Sequence, residues 1–363
     1  MAFEIEYEKN LLNLCEEIIS GTYCLRPSTC FISFHPVIRE VFAADFRDRV
    51  VHHLVYSYIN PYFEKLFIAD SYSCRPGKGT SYGIRRLGHF IRSCSQNYTR
   101  DCYILKLDIR GYFMAIDRAL LYRKIESALG RFRDEMRFDE ELVMRLLRLI
   151  IFSDPTKDCI VRGSRHDWRH LPRTKSLFHA AQGKGLPIGN LTSQLFGNVY
   201  LNDFDHFVKQ KLRCRFYGRY VDDFVIVREN REYLRSLVPS IRDELMTTLS
   251  LELHPDKIYL QHYTKGVRFL GTVIKPHRTY VHSRTKNGFF GAIDRWNTIF
   301  AKNGGAFSPE ESECFTACMN SYLGMLRHYS TYKLRRKMLM KVLDPRLRCR
   351  SKIAPDYTKI SLP

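Results

Sequence analysis

Apolar and polar positions alternate differently in three stretches of the chain, residues 1–100, 101–275 and 276–363. Period-two runs predict strands at 30–34 (CFISF) and 103–109 (YILKLDI). Helical spacing predicts helices at 47–63, 118–129 and 140–152, and a long helix after Gly189. From 289 to 343 the pattern is helical and basic. This mixture predicts an α+β fold with a helical, positively charged C-terminal region.

Two apolar runs flank Asp222 and Asp223, RCRFYGRY at 213–220 and FVIVRE at 224–229. They predict two strands of a hairpin with the aspartates at its tip. KGVRFLGTVI, at 265–274, predicts another strand. Between the helical stretches lies a basic segment, 157–184, which we expect to be a surface loop.

Adjacent aspartates point to opposite faces of a regular strand, but they can converge at a tight turn. Asp is a common turn residue, so the pair alone can be structural. Asp108, however, ends the predicted strand 103–109, and two strands can present three carboxylates together. Such a cluster repels itself unless cations fill it, and two Mg²⁺ about 4 Å apart would suit phosphoryl transfer. The sequence therefore predicts a nucleotidyl-transfer site.

The formal net charge is +20 and the pI about 9.5, with the positive charge spread along the chain. Nucleic acid is the partner that this charge favours. No apolar run reaches the roughly 18 residues of a membrane span, so we expect no membrane association. Eleven cysteines without a Cys-x-x-Cys pair fit neither a disulfide framework nor a zinc ribbon. We expect a protein of the reducing cytoplasm, encoded by a bacterium or phage.

Five segments follow one another in a recognisable order: DIRGYF, GLPIGNLTSQ, YVDDF, LHPDK and FLG. They resemble the successive motifs of reverse transcriptases, and the resemblance covers about residues 36 to 345. LPIGNLTSQLF is similar to the enzymes of diversity-generating retroelements, within the lineage related to group II introns. Most other reverse transcriptases have Pro-Gln-Gly here, and retron and group II enzymes usually follow it with Ser-Pro. In this chain Ile188 replaces the Gln, and Ser193-Gln194 replaces the Ser-Pro.

The resemblance implies a right-hand polymerase fold, with fingers in 1–100, a palm in 101–275 that includes an interleaved fingers segment, and a thumb in 276–363. It implies Mg²⁺ as two ions and dNTP substrates. Four residues would serve the metals: Asp108, Asp222 and Asp223 through their side chains and Ile109 through its carbonyl.

Residues implied to contact the nucleotide are Arg39, Phe113, Ile188, Gly189 and Gln194. Phe113 would lie beneath the sugar and disfavour ribonucleotides, whereas an ordinary core Phe is the alternative. Arg39 could bind triphosphate oxygens or be a plain surface charge. Ile188 cannot hydrogen-bond near the template base as a Gln could, so we expect it to contribute to errors opposite template adenines.

Residues implied to contact template or primer are Arg75, Lys78, Tyr220 and the primer grip Phe269, Leu270 and Gly271. SYSCRPGKGT at 71–80 would place Arg75 and Lys78 near template phosphates, or be a basic turn. Lys257 of LHPDK would protonate the pyrophosphate leaving group, unless it is a solvated lysine.

The implied function is RNA-dependent DNA synthesis: error-prone copying of a template-repeat RNA into adenine-mutagenised cDNA for mutagenic retrohoming. The chain ends soon after DPRLR, so we expect partners. These are template RNA, the cDNA/RNA duplex and a small basic, oligomeric accessory variability protein, for which 157–184 is one possible docking loop. Alternatives are a defence-associated, CRISPR-associated or group II-like reverse transcriptase of ordinary fidelity, a catalytically inactive RNA-binding scaffold, and a two-metal nuclease.

Overall fold

A computed structural model describes residues 2–34 and 37–362, apart from the side chains of Ala2 and Arg165. The chain forms two compact units, one extending to Leu260 and the other beginning at Gln261. The α+β class is confirmed by the antiparallel sheets and helices described below.

The first unit is built on an antiparallel sheet with the strand order β5-β6-β3-β7. Its strands are β3 (Tyr103–Asp108), β5 (Phe216–Tyr220), β6 (Asp223–Arg228) and β7 (Tyr259–His262), the last of which leads into the second unit. The predicted strands 103–109, 213–220 and 224–229 are thereby confirmed, with β5 and β6 forming the expected hairpin. Residues 224–227 of β6 are all buried, so the part of the strand that follows the two aspartates is packed on both faces of the sheet.

Helices accompany this sheet in the first unit. They are α1 (Ala2–Ile5), α2 (Tyr7–Ser20), α3 (Phe46–Leu66), α4 (Thr80–Cys94), α5 (Tyr112–Ala115), α6 (Arg118–Gly130), α7 (Glu140–Phe152), α8 (Leu191–Tyr200), α9 (Asn202–His206) and α10 (Arg231–Leu249). All except α4 contribute to one hydrophobic core with the sheet, whereas α4 contacts β5 and β6 separately. Asp45, Asp117 and Asp139 cap α3, α6 and α7, because each side chain accepts a hydrogen bond from a backbone amide of the first turn. The predicted helices at 47–63, 118–129 and 140–152 are confirmed, and the one expected after Gly189 is α8.

A second small sheet has the order β2-β1-β4, from strands β1 (Thr29–Ser33), β2 (Arg39–Ala43) and β4 (Ile160–Val161). Strand β1 confirms the strand predicted at 30–34. The segment 157–184 is more ordered than a surface loop, because β4 pairs with β1 and three short 3₁₀ turns follow. These turns are Arg165–His170, Arg173–Lys175 and Leu177–His179.

The second unit starts with a sheet of order β10-β9-β8, whose strands are β8 (Val267–Phe269), β9 (Thr272–Lys275) and β10 (Arg278–Val281). The single strand predicted at 265–274 is wrong, because Leu270 and Gly271 adopt positive φ and turn the chain between β8 and β9. Helices follow, as predicted for 289–343: α11 (Ser283–Lys302), α12 (Pro309–Leu326), α13 (Tyr332–Lys337) and α14 (Pro345–Arg350). A hairpin of β11 (Lys352–Ile353) and β12 (Ile360–Ser361) completes the unit.

Within the described residues, no helix combines the length and the apolar character that crossing a bilayer requires.

Candidate active site

Three carboxylates meet at one edge of the main sheet. Asp108 ends β3 and lies directly opposite Asp223, the first residue of β6, in the antiparallel register. Asp222 occupies the turn between β5 and β6, where Val221 adopts a φ of 55°. The Ile109 amide donates to the Asp222 carbonyl oxygen at 3.3 Å, which ties the turn to the end of β3. In a straight strand the two adjacent aspartates would point to opposite faces of the sheet. The turn brings both of them near Asp108.

Of the two adjacent aspartates, Asp222 is the one whose pKa is changed more by its surroundings. Burial, reinforced by the negative charges of Asp108 and Asp223, raises the pKa of Asp222 to about 6. Burial also raises the pKa of Asp223, although Lys106 opposes this with an ion pair of 3.1 Å. The edge thus holds more negative charge than its own lysines fully offset.

Lys257 is brought to the same edge by the LHPDK segment. Its Nζ donates to Asp108 Oδ1 at 2.9 Å. The segment is held in place by backbone contacts, since the His254 amide donates to the Asp108 carbonyl oxygen at 2.8 Å and Leu253 bridges Ile109. Lys257 ends the 3₁₀ turn Pro255–Lys257, and its side chain is 43% exposed, so the ammonium group can be reached by a ligand.

The acidic edge has the donor chemistry of a magnesium site. Carboxylate oxygens are the ligands that Mg²⁺ prefers, and enzymes usually complete its octahedron with water and substrate phosphates. Within 2–34 and 37–362, no group of three or more His, Cys, Asp or Glu side chains stands in a metal-ligating arrangement, and this includes the three aspartates of the acidic edge. The residues present fit Mg²⁺ by donor type, because carboxylates are its preferred ligands and three of them outnumber Lys106 and Lys257 at this edge.

Phe113 and the GLPIGN segment lie against each other, because the Leu186 amide donates to the Phe113 carbonyl oxygen at 2.9 Å. Phe113 belongs to α5 and packs on α8, where a Cβ at Gly197 would lie 3.4 Å from its ring. The Ile188 carbonyl accepts from the Phe42 amide at 2.8 Å. Gly189 has a φ of 131°, and a Cβ there would lie 2.9 Å from the Phe42 carbonyl oxygen, so only glycine fits against β2.

Residues 38–274, well over half of the chain, match the family described as reverse transcriptase (RNA-dependent DNA polymerase). The chain belongs to the reverse transcriptase family. The antiparallel sheet that carries the three aspartates, together with the helices around it, forms the right-hand polymerase fold of that family. This confirms the fold predicted from the sequence.

Two curated relatives are similar over most of this reverse transcriptase. Protein YkfC of Escherichia coli K12 is 24% identical over an alignment of 295 residues that covers 71% of this chain and 69% of YkfC. Nuclear intron maturase 1, mitochondrial, of Arabidopsis thaliana is 22% identical over an alignment of 293 residues that covers 63% of this chain and 40% of the maturase.

Among solved structures, the chain is similar to two yeast telomerases. Apo telomerase of Candida tropicalis, truncated from its C-terminal domain, gives a TM-score of 0.49 at 12% identity, covering 76% of this chain and 60% of the telomerase. Telomerase of Candida albicans with a TWJ fragment of telomeric RNA gives 0.49 at 11% identity, covering 86% and 61%. The chain thus spans less than two thirds of the maturase and of both telomerases.

Arg39 and Gln194 are both exposed in this reverse transcriptase, as residues that contact a nucleotide must be. Arg39 begins β2 and makes no ion pair with any residue of the described ranges. Burial raises the pKa of the Tyr220 hydroxyl, and the positive charge of Arg39 opposes this rise. Arg39 therefore lies near Tyr220, the residue that precedes the Val221 turn.

The two basic residues of SYSCRPGKGT are placed differently from each other. Arg75 is buried and grips Glu64 with Nε and Nη2, at 3.0 and 2.8 Å to Oε2, while Nη1 donates to the Ile68 carbonyl oxygen at 2.7 Å. A template phosphate would have to displace these partners. Lys78 is half-buried and donates to the Ala69 carbonyl oxygen at 2.6 Å. Burial and the charge of Arg75 lower the Lys78 pKa.

Phe269, Leu270 and Gly271 lie in the second unit, at the turn between β8 and β9. Phe269 is buried, and the turn is formed by Leu270 and Gly271 with φ of 46° and 80°. Strands β8 and β9 pair antiparallel across this turn, so the three residues belong to a β-hairpin.

Two buried charged residues of the first unit were missed by the sequence reasoning, Arg219 and Glu40. Arg219 forms an ion pair with Asp205 directly behind the Val221 turn. Glu40 accepts hydrogen bonds from Trp168, Ser176 and Leu177, all in the segment 157–184. The same segment reaches the end of β3, because a Cβ at Gly111 would lie 2.8 Å from the Thr174 carbonyl oxygen. The predicted length of this loop indicated that it would be ordered by contacts with the rest of the protein, since such long unstructured loops are uncommon in compact domains.

Proposed function

We propose that this chain is the RNA-directed DNA polymerase of a diversity-generating retroelement. In this proposal it copies a template-repeat RNA into cDNA with errors opposite template adenines, for mutagenic retrohoming. The observation that carries the catalytic part is the meeting of Asp108, Asp222 and Asp223 at one sheet edge with Lys257 beside them.

Asp108, Asp222 and Asp223 would hold two Mg²⁺, with the Ile109 carbonyl as a further ligand. When bound, the ions would stabilise the attacking 3′ oxygen and the leaving pyrophosphate oxygen. The protein's part is to keep three carboxylates in position against their mutual repulsion. The Ile109–Asp222 hydrogen bond and the buried residues 224–227 of β6 support that role.

Lys257 would donate a proton to the pyrophosphate. Its ammonium lies 2.9 Å from Asp108 Oδ1, which places a proton donor at the acidic edge. General acid catalysis of this kind contributes on the order of 10²-fold or more. The partial exposure of Lys257 supports the proposal, because the group can meet a substrate that comes from solvent.

Four further residues would select and orient the dNTP. Phe113, a residue of α5 that packs on α8, would exclude a 2′-hydroxyl, and the exposed Arg39 and Gln194 would contact the triphosphate and the base pair. Gly189 would bring the backbone close to the nucleotide. Tyr220 and Lys78 would face the template. Arg75 would instead support the template-side segment from within, because its guanidinium is already engaged by Glu64.

The lineage proposal rests on IGNLTSQ and on the placement of Ile188. Ile188 is partly buried against the small cluster of Cys30, Phe42, Met114 and Leu177, which Phe113 also joins. The proposed gate and the residue proposed to lower fidelity therefore pack on one group of side chains. An apolar side chain fits there without a hydrogen-bond partner, whereas Gln would need one.

The proposed partners are the template RNA, the cDNA/RNA duplex and a small basic accessory protein in the cytoplasm of a bacterium or phage host. The net charge of +20 supports binding to polyanions. In the second unit, the helices α11 to α13 would form a thumb that contacts duplex phosphates, with Phe269, Leu270 and Gly271 as primer grip.

The decisive experiment supplies purified protein with RNA template, Mg²⁺ and dNTPs, with and without the accessory protein, and sequences the cDNA. Asp222→Ala is the catalytic control and Ile188→Gln the fidelity variant. Errors concentrated opposite template adenines, absent with Asp222→Ala and reduced by Ile188→Gln, are expected.

Each other outcome would replace part of the proposal. Accurate Asp222-dependent cDNA would move the chain to a reverse-transcriptase lineage of ordinary fidelity. An unchanged adenine error rate in Ile188→Gln would remove Ile188 from the explanation. Absence of Asp222-dependent cDNA under either condition would favour an RNA-binding scaffold.

A further inference from the structure

Behind the proposed catalytic turn lies an ion pair from which solvent is excluded. Arg219, on β5, donates from Nε to Asp205 Oδ1 at 2.7 Å and from Nη2 to Asp205 Oδ2 at 2.6 Å. Both side chains are 0% exposed. This is the two-point geometry in which an arginine binds a carboxylate most strongly.

The third guanidinium nitrogen reaches the turn itself. Arg219 Nη1 donates to the Val221 carbonyl oxygen at 2.9 Å. That oxygen belongs to the peptide unit that connects Val221 to Asp222. Val221 has a φ of 55°, a conformation that a β-branched residue adopts only under strain. The hydrogen bond therefore acts on the strained peptide immediately before Asp222.

Arg219 is itself fixed on several sides. Its amide donates to the Asp70 carbonyl oxygen and its carbonyl oxygen accepts from the Tyr72 amide, both at 2.9 Å. The Tyr217 hydroxyl donates to Asp205 Oδ1 at 2.5 Å. The orientation of the guanidinium is thus set by the sheet, by α9 and by the segment before α4.

Stability alone is a weak reason for this arrangement. Desolvating two charges offsets most of their attraction, and buried ion pairs can often be replaced by apolar residues without loss of stability. An apolar pair would also fill the space, but it would give the Val221 carbonyl oxygen no donor. What the arginine adds is the hydrogen bond to the turn.

We propose that Arg219 is a positioning residue, which holds the Val221–Asp222 peptide so that Asp222 keeps its place beside Asp108 and Asp223. Asp205 in turn aims the guanidinium. The role given to Asp222 rests on the proposed function. Arg219 itself touches neither the nucleotide nor the metals in this proposal.

The test replaces the ion pair by apolar residues: Tyr217→Phe, Asp205→Leu and Arg219→Met in one protein. Neither a buried charge nor the Tyr217 hydroxyl is then left without its partner, and the acceptors that lose a donor are the Val221 carbonyl oxygen and Asn198 Oδ1, the latter 3.4 Å from Arg219 Nη1. Arg47→Lys is the matched control, because Arg47 is also a buried arginine paired with carboxylates, Glu17 and Asp48, away from the turn. Urea unfolding, kcat and KM for dNTP, and Mn²⁺ binding by electron paramagnetic resonance are measured for each.

The triple variant is expected to unfold at a urea concentration close to wild type, to lose about 10- to 100-fold in kcat and to bind Mn²⁺ about tenfold or more weakly, with KM for dNTP little changed. Arg47→Lys is expected to lower stability and leave kcat and Mn²⁺ binding unchanged. A folded triple variant with wild-type kcat and Mn²⁺ affinity would overturn the proposal, because it would show that the pair only fills space.

A second variant covers the case in which the triple variant does not fold. Asp205→Asn with Arg219→Gln keeps polar partners for each other and for Tyr217, but Gln is too short to reach the Val221 carbonyl oxygen as well. The same losses are expected, and unchanged Mn²⁺ binding would overturn the proposal. Mn²⁺ binding needs no polymerisation, so this result is independent of whether the wild-type chain makes cDNA. Absence of Asp222-dependent cDNA in the wild type would count against the proposed function alone.

Discussion

Asp222 and Glu40 are carboxylates held in one unit of the protein with opposite surroundings. Glu40 is 1% exposed and accepts from Trp168 Nε1 at 2.7 Å, Ser176 Oγ at 2.8 Å and the Leu177 amide at 2.5 Å. Burial, together with the neighbouring carboxylates of Asp108 and Asp223, raises the pKa of Asp222 to about 6. The donors around Glu40 provide hydrogen bonds to its carboxylate and hold the segment 157–184 in place. The carboxylates around Asp222 instead favour its protonation or the binding of a cation, as proposed for Mg²⁺.

The same chemical change should therefore have opposite consequences at the two positions. Exchanging a carboxylate for its amide removes one charge and adds one pair of N–H donors. At Glu40 these donors would face other donors. At Asp222 the lost charge would relieve repulsion, at the expense of metal binding.

The largest effect is expected for Asp222→Asn on polymerisation. Loss of one of the three carboxylates proposed to bind Mg²⁺ should lower kcat about a thousandfold or more, since metal stabilisation of the reacting oxygens is worth several kcal/mol. Primer extension with dNTPs and Mg²⁺ measures it. Asp243→Asn, an exposed change on α10, should extend primers as the wild type does. Extension within tenfold of wild type by Asp222→Asn would remove Asp222 from the site.

Lys257→Met tests whether the ammonium group beside Asp108 acts as a proton donor. If the ammonium beside Asp108 delivers a proton, kcat should fall about 10- to 100-fold with KM for dNTP nearly unchanged. Single-turnover incorporation separates this chemical step from product release. Lys9→Met, an exposed change on α2, serves as control. A rise in KM at constant kcat would instead assign Lys257 to substrate binding.

The meeting of the three aspartates is where the sequence-based prediction agreed best with the structure, for a physical reason. Asp108 ends β3, Asp223 begins β6 and Asp222 lies in the turn just before it, so all three are placed by strands whose apolar pattern is visible locally. Glu40 and Arg219 carry no such local signal. The donors to Glu40 are more than 120 positions away along the chain, and a buried charge is recognisable only when its partners are known.

Strand and turn lengths show the same limit. The apolar run 265–274 looks like one strand, and only the positive φ of Leu270 and Gly271 divides it into β8 and β9. Leucine gives no warning of that conformation, although the following glycine does. For Arg75, a basic residue in a glycine-rich segment suggested phosphate binding, but Glu64, 11 positions earlier near the end of α3, determines its placement.

Glu40→Gln tests whether the hydrogen-bond donors around Glu40 require a carboxylate there. Gln offers one acceptor oxygen in place of two and points N–H groups at existing donors, so unfolding free energy should fall by about 1–3 kcal/mol. Urea unfolding measures this, and proteolysis should cut faster within 157–184. Glu16→Gln, exposed on α2, should change neither. If Glu40→Gln were as stable as wild type, the carboxylate would not be what fastens the segment.

The smallest effect is expected for Asp222→Asn on the stability of the metal-free protein, and its sign is opposite to that at Glu40. Because the folded pKa of Asp222 is raised from its ordinary 3.8 to about 6, the wild type should lose stability as pH rises through that range. The raised pKa corresponds to at most about 3 kcal/mol, which partial solvent access reduces to about 1–2 kcal/mol.

Asn carries no charge at any pH, so urea unfolding in EDTA should show the variant more stable than wild type at pH 7.5 and equal to it near pH 4. Mg²⁺ should then narrow the difference at pH 7.5, because it binds the folded wild type more tightly. Parallel pH profiles for the two proteins would mean that Asp222 is not crowded, and that Asp222 and Glu40 differ less than their neighbours suggest.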